Sequence, residues 1–368
     1  MFIPVNEPKL DGNELKYVTE CLSTGWISSE GSYVTKFEAE FAKTVERKHA
    51  VAVSNGSVAL DAAIVALGIK KGDEVIMPTF TIISCAAAII RAGAVPVLVD
   101  ADTLTWNMDV SQIEAKITSN TKAIMVVHIY GLPVDMDIVL DLAKKYDLKI
   151  IEDAAEVHGL EYKGKPCGSF GDISTFSFYP NKHITTGEGG MIVCNDDELA
   201  EKCRSLRNLC FQAGRRFVHE ELGWNFRMTN IQAAIGVAQL EQLSEHLKIK
   251  RQIGNTYNEL LEGTEGIQLP LKKNQFAENI YWVYAIVLTN GKSAEYMMEK
   301  LKDKNIGTRP FFWGMHEQPV FQKMGLFKNE SYPVAENIAR NGFYVPSGLT
   351  IKKEQQMIVI KSLIESLK

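Results

Sequence analysis

Short, solidly apolar runs alternate with helix-like segments through the first two thirds of the chain, and this alternation strongly constrains the fold. The apolar runs are HAVAVS, EVIMP, AVPVLVD, KAIMVVHIYG and LKIIEDA. The segments between them, such as SVALDAAIVALG and IISCAAAIIRAG, carry apolar residues at helical spacing and end at Gly68 and Gly93. Continuous Val/Ile runs are typical of strands buried on both faces. The sequence therefore predicts an α/β domain built on a mainly parallel sheet.

The pattern changes at Thr229, which we predict to be the N-cap of one long helix running toward Gly263. Beyond that point strands become fewer and the composition more polar, which predicts a smaller α+β domain ending in a helix. A chain of 368 residues has room for both units. We place a large domain at 1–245 and a small domain at 246–368, with the N-terminal segment able to pack on the small domain.

Charge and composition restrict the classes of partner. The formal charge is −5 and the pI is near 5.9, so a nucleic-acid partner is not expected. The N-terminus, MFIPVNEPKLDGNE, lacks the features of a signal peptide, and the most apolar window is interrupted by Arg91, so no membrane span is expected. The six cysteines and seven histidines show neither CxxC nor HExxH spacing. A reduced, cytoplasmic protein without a metal is expected, with a disulfide framework or zinc site as the alternative.

Three groups with chemical potential fall where predicted strands end, which is where ligands of open α/β sheets bind. Gly56, in SNGS, precedes a helix whose free N–H groups suit a phosphate, although a plain turn is the alternative. Asp153 follows Glu152 at the end of a buried strand and could bind a protonated ring nitrogen or cap a helix. Lys182, in FSFYPNKHITTGEGG, is either a nucleophile for carbonyl groups or a surface lysine.

Taken together, these groups provide a phosphate site, a partner for a ring nitrogen and an amine. Pyridoxal 5′-phosphate is a cofactor with those three points of attachment. Each signal is weak alone, and it is their combination that predicts this cofactor.

An ordered set of longer motifs is more specific. The motifs are LDGNE, WISSEG, NTKAIMVVHIYG, EDAAE, SFYPNK, TTGEGGM, NFRMTNIQAAIG and TRPFFWGMH. With them the chain resembles the sugar aminotransferases of the DegT/DnrJ/EryC1/StrS family over nearly its whole length. The resemblance implies the fold type I architecture of aspartate aminotransferase, with a large domain holding a mainly parallel mixed sheet and a smaller C-terminal α+β domain.

The resemblance also implies roles for individual residues. Lys182 corresponds to the lysine that bonds covalently to the cofactor and, once released, moves a proton. Asp153 corresponds to the carboxylate that keeps the pyridine nitrogen protonated, and Glu156 occupies the Gln/Glu position beside the phenolic oxygen. The other implied positions are Gly56, Ser57 and Ser177 at the phosphate, Asn225 reaching across from the partner subunit of a homodimer, Ile82 over the ring, and Arg309 and His316 near the substrate.

For the substrates, the resemblance implies L-glutamate as amino donor and a keto sugar as acceptor, most closely C4 of GDP-4-keto-6-deoxymannose. A 3-keto nucleotide sugar or a small phosphorylated ketone remains an alternative acceptor. Ile82 stands where many relatives have an aromatic residue, and SFYPNK has Tyr-Pro where relatives of that specificity tend to have Phe-Gly. His158 and His183 are expected to be structural. Dehydratases of the family, which have histidine in place of the lysine, and non-catalytic regulators are the rival classes.

Overall fold

The computed structural model describes residues 2–211, 214–215 and 217–368. The strands of its first two thirds are β1 (His49–Val53), β2 (Glu74–Pro78), β3 (Val95–Val99), β4 (Thr121–Val127), β5 (Lys149–Asp153), β6 (Glu161–Tyr162), β7 (Lys165–Pro166), β8 (Ile173–Ser177) and β9 (Gly190–Cys194). Seven of them form one sheet in the order β1-β9-β8-β5-β4-β2-β3, and β6 pairs with β7. In the large sheet β9 runs in the direction opposite to the other six strands. The predicted mainly parallel sheet is confirmed.

Alternate residues of each central strand enter different hydrophobic cores, which explains the unbroken apolar runs in the sequence. Met125 and Ile151 belong to the core on one face of the sheet. Ile124 and Ile150 belong to the core on the other face. Because successive strand side chains point to opposite faces, a sheet covered on both sides needs apolar residues at every position.

Helices supply the cover on both faces. They are α1 (Glu14–Thr24), α2 (Ser32–Thr44), α3 (Gly56–Ala66), α4 (Ile83–Arg91), α5 (Met136–Tyr146), α6 (Asp197–Arg207), α7 (Asn230–Glu241), α8 (Leu243–Leu261), α9 (Ala294–Asp303), α10 (Pro319–Lys323), α11 (Pro333–Asn341) and α12 (Lys353–Leu367). Helices α3, α4 and α6 pack on one face of the sheet, and α2, α5 and α7 pack on the other. Within the described ranges no helix is long and apolar enough to cross a membrane.

The predicted single long helix is wrong, because it is divided into α7 and α8 at Gln242. The Gln242 N–H bonds the carbonyl three residues back, that of Gln239, and this tighter turn ends α7. The predicted N-cap is confirmed: the Thr229 side chain accepts the N–H of Gln232, whose own side chain accepts the N–H of Thr229.

The last third of the chain holds a second, antiparallel sheet. Its strands are β10 (Ile267–Gln268), β11 (Tyr284–Leu288), β12 (Arg309–Pro310) and β13 (Gly342–Val345), in the order β10-β11-β13-β12. The N-terminal segment contacts this region through a parallel bridge between Ile3 and Ile306. Helix α8 contributes Leu247 to the core of the large sheet and Tyr257 to the core of the small one. The boundary at residue 245 stays a prediction.

Candidate active site

The carboxyl ends of β5 and β8 and the segment after β1 meet at one edge of the large sheet. Asp153 is the last residue of β5, and Ser177 is the last residue of β8. Gly56 begins α3 directly after β1, and Lys182 lies in the loop between β8 and β9. The fold therefore brings together residues that are up to 126 positions apart in the sequence, as the Gly56–Lys182 pair is.

The Lys182 side chain is nearly enclosed, with 10% of its surface exposed. Its Nζ lies 3.8 Å from Oε1 of Glu156 and 3.8 Å from the centroid of the Trp282 ring. Burial lowers the pKa of the Lys182 amine, although the nearby Glu156 and Asp153 carboxylates oppose that shift. A lysine with a lowered pKa has more of the neutral, nucleophilic amine at neutral pH.

The two carboxylates near Lys182 are also buried. Glu156 accepts the backbone N–H of Tyr130 at 2.9 Å, and burial raises its pKa to about 7. Asp153 accepts the backbone N–H of Ala155 at 3.1 Å and the thiol of Cys85 at 3.4 Å. Burial raises the pKa of Asp153, while the N–H of Ala155 and the Lys182 charge favour the ionised form. A cationic ligand atom beside Asp153 would give this carboxylate a further partner that favours its ionised form.

An anion site is built around the N-terminus of α3. Asn55 caps this helix by accepting the N–H of Val58, and the N–H groups of Gly56 and Ser57, which precede it in the first turn, have no partner within the helix. A Cβ on Gly56 would lie 2.7 Å from the Cβ of Ser177, so only glycine fits at this close approach. The Ser57 hydroxyl lies 2.7 Å from that of Ser84. The arrangement offers hydroxyls and a helix dipole to a phosphate.

Two predicted cofactor residues are exposed in the single chain. Ile82 precedes α4 and is 42% exposed, as an open ring face would require. Asn225 is exposed on a segment that bridges to Asn208. Its predicted contact belongs to a second subunit and stays a prediction.

The two predicted substrate residues have different surroundings. Arg309 is exposed on β12 opposite Tyr344, whose ring lies 6.4 Å from that of Trp282, so Arg309 lies at the rim of the Lys182 site. His316 is buried, and its ring nitrogens bond the hydroxyl of Thr79 at 2.9 Å and the carboxylate of Glu336 at 3.1 Å. Because both nitrogens are occupied, His316 joins two segments and has no free nitrogen for a substrate.

Four side chains of the site were not predicted from the sequence: Ser84, Cys85, Tyr130 and Trp282. Ser84 lies in the first turn of α4 just after β2, so its position at a strand end was a usable signal. No local sequence signal marked Trp282, because its indole N–H binds the carbonyl of Asn181, which is 101 residues away.

The predicted structural histidines are deeply buried beside this site. The His158 ring lies 6.0 Å from that of His183 and packs against Phe176 and Phe178. Burial lowers the pKa of His158 to about 3 and also lowers that of His183, so both rings are neutral at physiological pH.

A separate buried group of potential metal ligands comprises His128, Glu152 and Cys167. The His128 Nδ1 accepts the N–H of Val134 at 3.1 Å, and its Nε2 donates to Glu152 at 3.0 Å. The His128 ring therefore has no lone pair left, and this arrangement suits a structural hydrogen-bond network.

Known proteins provide an independent comparison with this site. A model of the DegT/DnrJ/EryC1/StrS aminotransferase family matches residues 8–364. The chain belongs to this family. Its similarity to the GDP-perosamine synthase of Escherichia coli O157:H7 is 44% identity over 364 residues, covering 99% of this chain and 98% of that protein.

Solved structures of family proteins have the same fold. DesV from S. venezuelae gives a TM-score of 0.92 at 32% identity, covering 99% of this chain and 98% of that one. The PLP-form of the putative sugar aminotransferase Spr1654 from Streptococcus pneumoniae gives a TM-score of 0.93 at 25% identity, covering 100% and 98%. The expected aminotransferase family and its fold type I architecture are confirmed.

Proposed function

We propose that this enzyme is a pyridoxal 5′-phosphate-dependent aminotransferase that moves the amino group of L-glutamate to C4 of a GDP-linked 4-keto-6-deoxyhexose. The observation that carries the proposal is the meeting of the Lys182 amine, the Asp153 carboxylate and the anion site at Gly56 on one edge of the sheet. The 44% identity with a GDP-perosamine synthase supports the acceptor.

The residues present fit this cofactor. Gly56, Ser57, Ser84 and Ser177 would hold its phosphate, because they lie at the N-terminus of α3, where an added Cβ on Gly56 would collide with Ser177. Asp153 would bind the pyridine nitrogen. When bound, the cofactor supplies an electrophilic carbon and a ring that delocalises the electrons released at the donor's Cα.

Lys182 is the proposed general base, because its amine is buried and its pKa is lowered. Its Nζ would take the proton from Cα of L-glutamate in the first half of the reaction and would deliver a proton to C4 of the keto sugar in the second half. Glu156 holds Nζ in place from 3.8 Å. In a ping-pong order, 2-oxoglutarate leaves before the keto sugar binds.

The acceptor site is proposed at the aromatic rim next to Lys182. Tyr344 is partly exposed and provides surface for a sugar ring, and the buried rings of Trp282 and Tyr130 support it at centroid distances of 6.4 Å. Arg309 lies exposed beside Tyr344, where a guanidinium suits the diphosphate of a nucleotide sugar.

Isotope transfer tests the proposal. Cofactor-loaded enzyme is incubated with ¹⁵N-labelled L-glutamate and GDP-, dTDP- or UDP-linked 4-keto or 3-keto hexoses, or small keto phosphates, and products are identified by mass spectrometry. We expect ¹⁵N in the GDP-linked 4-amino sugar together with equimolar 2-oxoglutarate. Labelling of a small keto phosphate alone would reject the nucleotide sugar and retain the aminotransferase.

The proposal also covers the oligomeric state of the enzyme and its cellular compartment. Asn225 is proposed to reach the cofactor phosphate of the other subunit in a homodimer, which its exposure in the single chain supports. All six cysteines are buried free thiols, which supports a reducing, cytoplasmic setting.

A further inference from the structure

Lys250, on α8, is a buried lysine that the proposed reaction does not use. It is 3% exposed, and its Nζ donates to the carbonyl oxygens of Trp282 at 2.9 Å and Ser347 at 2.6 Å. Among the described residues no carboxylate lies within 4 Å of it. Burying an amine without an opposite charge beside it is costly, which suggests that Lys250 has a role besides packing.

One of its two partners covers the catalytic amine. The Trp282 ring lies 3.8 Å from Nζ of Lys182, and its indole N–H donates to the carbonyl of Asn181 at 2.8 Å. Lys250 therefore fixes the backbone of the residue whose ring contacts Lys182, and Asn181 fixes the orientation of that ring.

The other partner leads back to the same loop. The Ser347 N–H donates to the carbonyl of Val5, and the side chain of the next residue, Asn6, donates to the carbonyl of Pro180 at 3.1 Å. Pro180 and Asn181 directly precede Lys182. Lys250 thus closes a ring of contacts around the loop that carries Lys182.

The titratable group that faces Lys250 is His183, which is also close enough to Lys182 to be affected by its charge. Burial keeps this imidazole neutral, and its Nε2 lies 3.3 Å from the carbonyl of Ile280. Because this imidazole is neutral, we take the contact through Trp282 as the one by which Lys250 acts on Lys182.

We propose that Lys250 is a positioning residue for the reaction, which holds the Trp282 ring against the Lys182 amine and so sets the orientation and charge of that amine. The inference rests on the proposed role of Lys182. An indole ring stabilises a protonated amine by about 0.5–2 kcal/mol. Losing this contact therefore lowers the pKa of Lys182, whereas losing any positive charge that Lys250 still carries would raise it. The direction of the change separates the two effects.

The test uses the full-length protein freed of cofactor, so that it does not depend on the substrate. Trinitrobenzenesulfonate labels amines, and peptide mass spectrometry gives the rate of labelling at Lys182 from about pH 6 to 11. Lys250→Met is compared with Trp282→Leu, the double variant and Lys248→Met, an exposed lysine on the same helix. Circular dichroism confirms that each variant is folded.

We expect Lys250→Met to move the labelling midpoint to lower pH, with labelling below the midpoint about two- to thirtyfold faster. Trp282→Leu should produce the same shift, the double variant no larger one, and Lys248→Met none. An unchanged or raised midpoint in folded Lys250→Met overturns the proposal. If that variant does not fold, Lys250→Ala, which also lacks the N–H donor, is measured by the same criteria. If this test succeeds but the isotope transfer fails, the proposed acceptor is rejected and the positioning role of Lys250 is retained.

Discussion

At the residue scale, the chemistry rests on an amine placed among groups that oppose its charge and groups that support it. Burial favours the neutral amine of Lys182, and the Glu156 and Asp153 carboxylates favour the ammonium. Burial is the larger effect, so the pKa of Lys182 lies below that of a free lysine, which favours a group that both accepts and returns a proton. A fully exposed lysine would remain protonated and could not act as a base.

Lys182→Ala is expected to lower turnover at least about a hundredfold, because it removes the general base. The measurement is 2-oxoglutarate release from L-glutamate in the presence of the keto sugar. Lys70→Ala, at an exposed lysine, serves as the control and should retain wild-type turnover. Partial recovery on adding a small primary amine would support the assignment, and near-normal turnover without it would contradict it.

Lys250 should make stability depend on pH. Burial lowers its pKa from 10.5 to about 7. Between these values the unfolded chain binds a proton that the folded protein lacks, so the free energy of unfolding contributed by this group rises with pH by roughly 1 kcal/mol per unit.

Urea unfolding of the wild type and of Lys250→Met from pH 7 to about 10 checks this linkage. We expect the stability difference, wild type minus variant, to become more favourable to the wild type as pH increases. A difference that does not change with pH would mean that Lys250 stays charged in the folded protein.

At the scale of elements, the N-terminus of α3 is placed for an anion by its neighbours in space. The β1–α3 turn approaches the end of β8 so closely that no side chain fits at Gly56. The proposed phosphate site therefore depends on the distance between two strand ends as much as on the helix dipole.

Gly56→Ala should weaken binding of pyridoxal 5′-phosphate about tenfold or more, because the new Cβ would displace Ser177 or the turn at a cost of about 1–3 kcal/mol. Equilibrium dialysis gives the dissociation constant. Gly214→Ala adds the same atom where no heavy atom of the residues that the structure describes lies within 4 Å, and it should change nothing. Equal affinities of both variants for pyridoxal 5′-phosphate would contradict the proposed role of Gly56 in the phosphate site.

The elements show how far sequence reasoning extends. The strand end that carries Asp153 was predictable, because the apolar run LKIIEDA and the turn after it are local signals. The break at Gln242 was not, since neither glycine nor proline marks it. Nor was the role of Lys250, whose partners lie 32 and 97 residues away and are adjacent only after both sheets have formed.

At the scale of the whole molecule, the proposed dimer can be tested by mixing two inactive variants. Lys182→Ala and Asn225→Ala are expected to lose activity separately, since each damages both composite sites of its own dimer. Random exchange of subunits makes about half of the dimers mixed, and each mixed dimer has one intact site, so activity should return to about a quarter of wild type. Mixed Lys182→Ala and Lys70→Ala proteins should keep half of wild-type activity whether or not subunits exchange, so exchange itself is followed by native mass spectrometry of a mixture in which one variant carries an affinity tag. No recovery after demonstrated exchange would place Asn225 within its own subunit's site.

The order of strands has a consequence for how the protein is made. Strand β1 lies at the edge of the large sheet, and its one neighbouring strand there is β9, with His49 opposite Cys194. A nascent chain that has not yet delivered residues 190–194 from the ribosome lacks the strand that lies between β1 and β8, so the turn at Gly56 is not yet held against Ser177. A cofactor in the cell can stabilise only chains that have passed this length, because a ligand stabilises the state that binds it. Synthesis that stalls earlier yields fragments that no supply of cofactor can rescue.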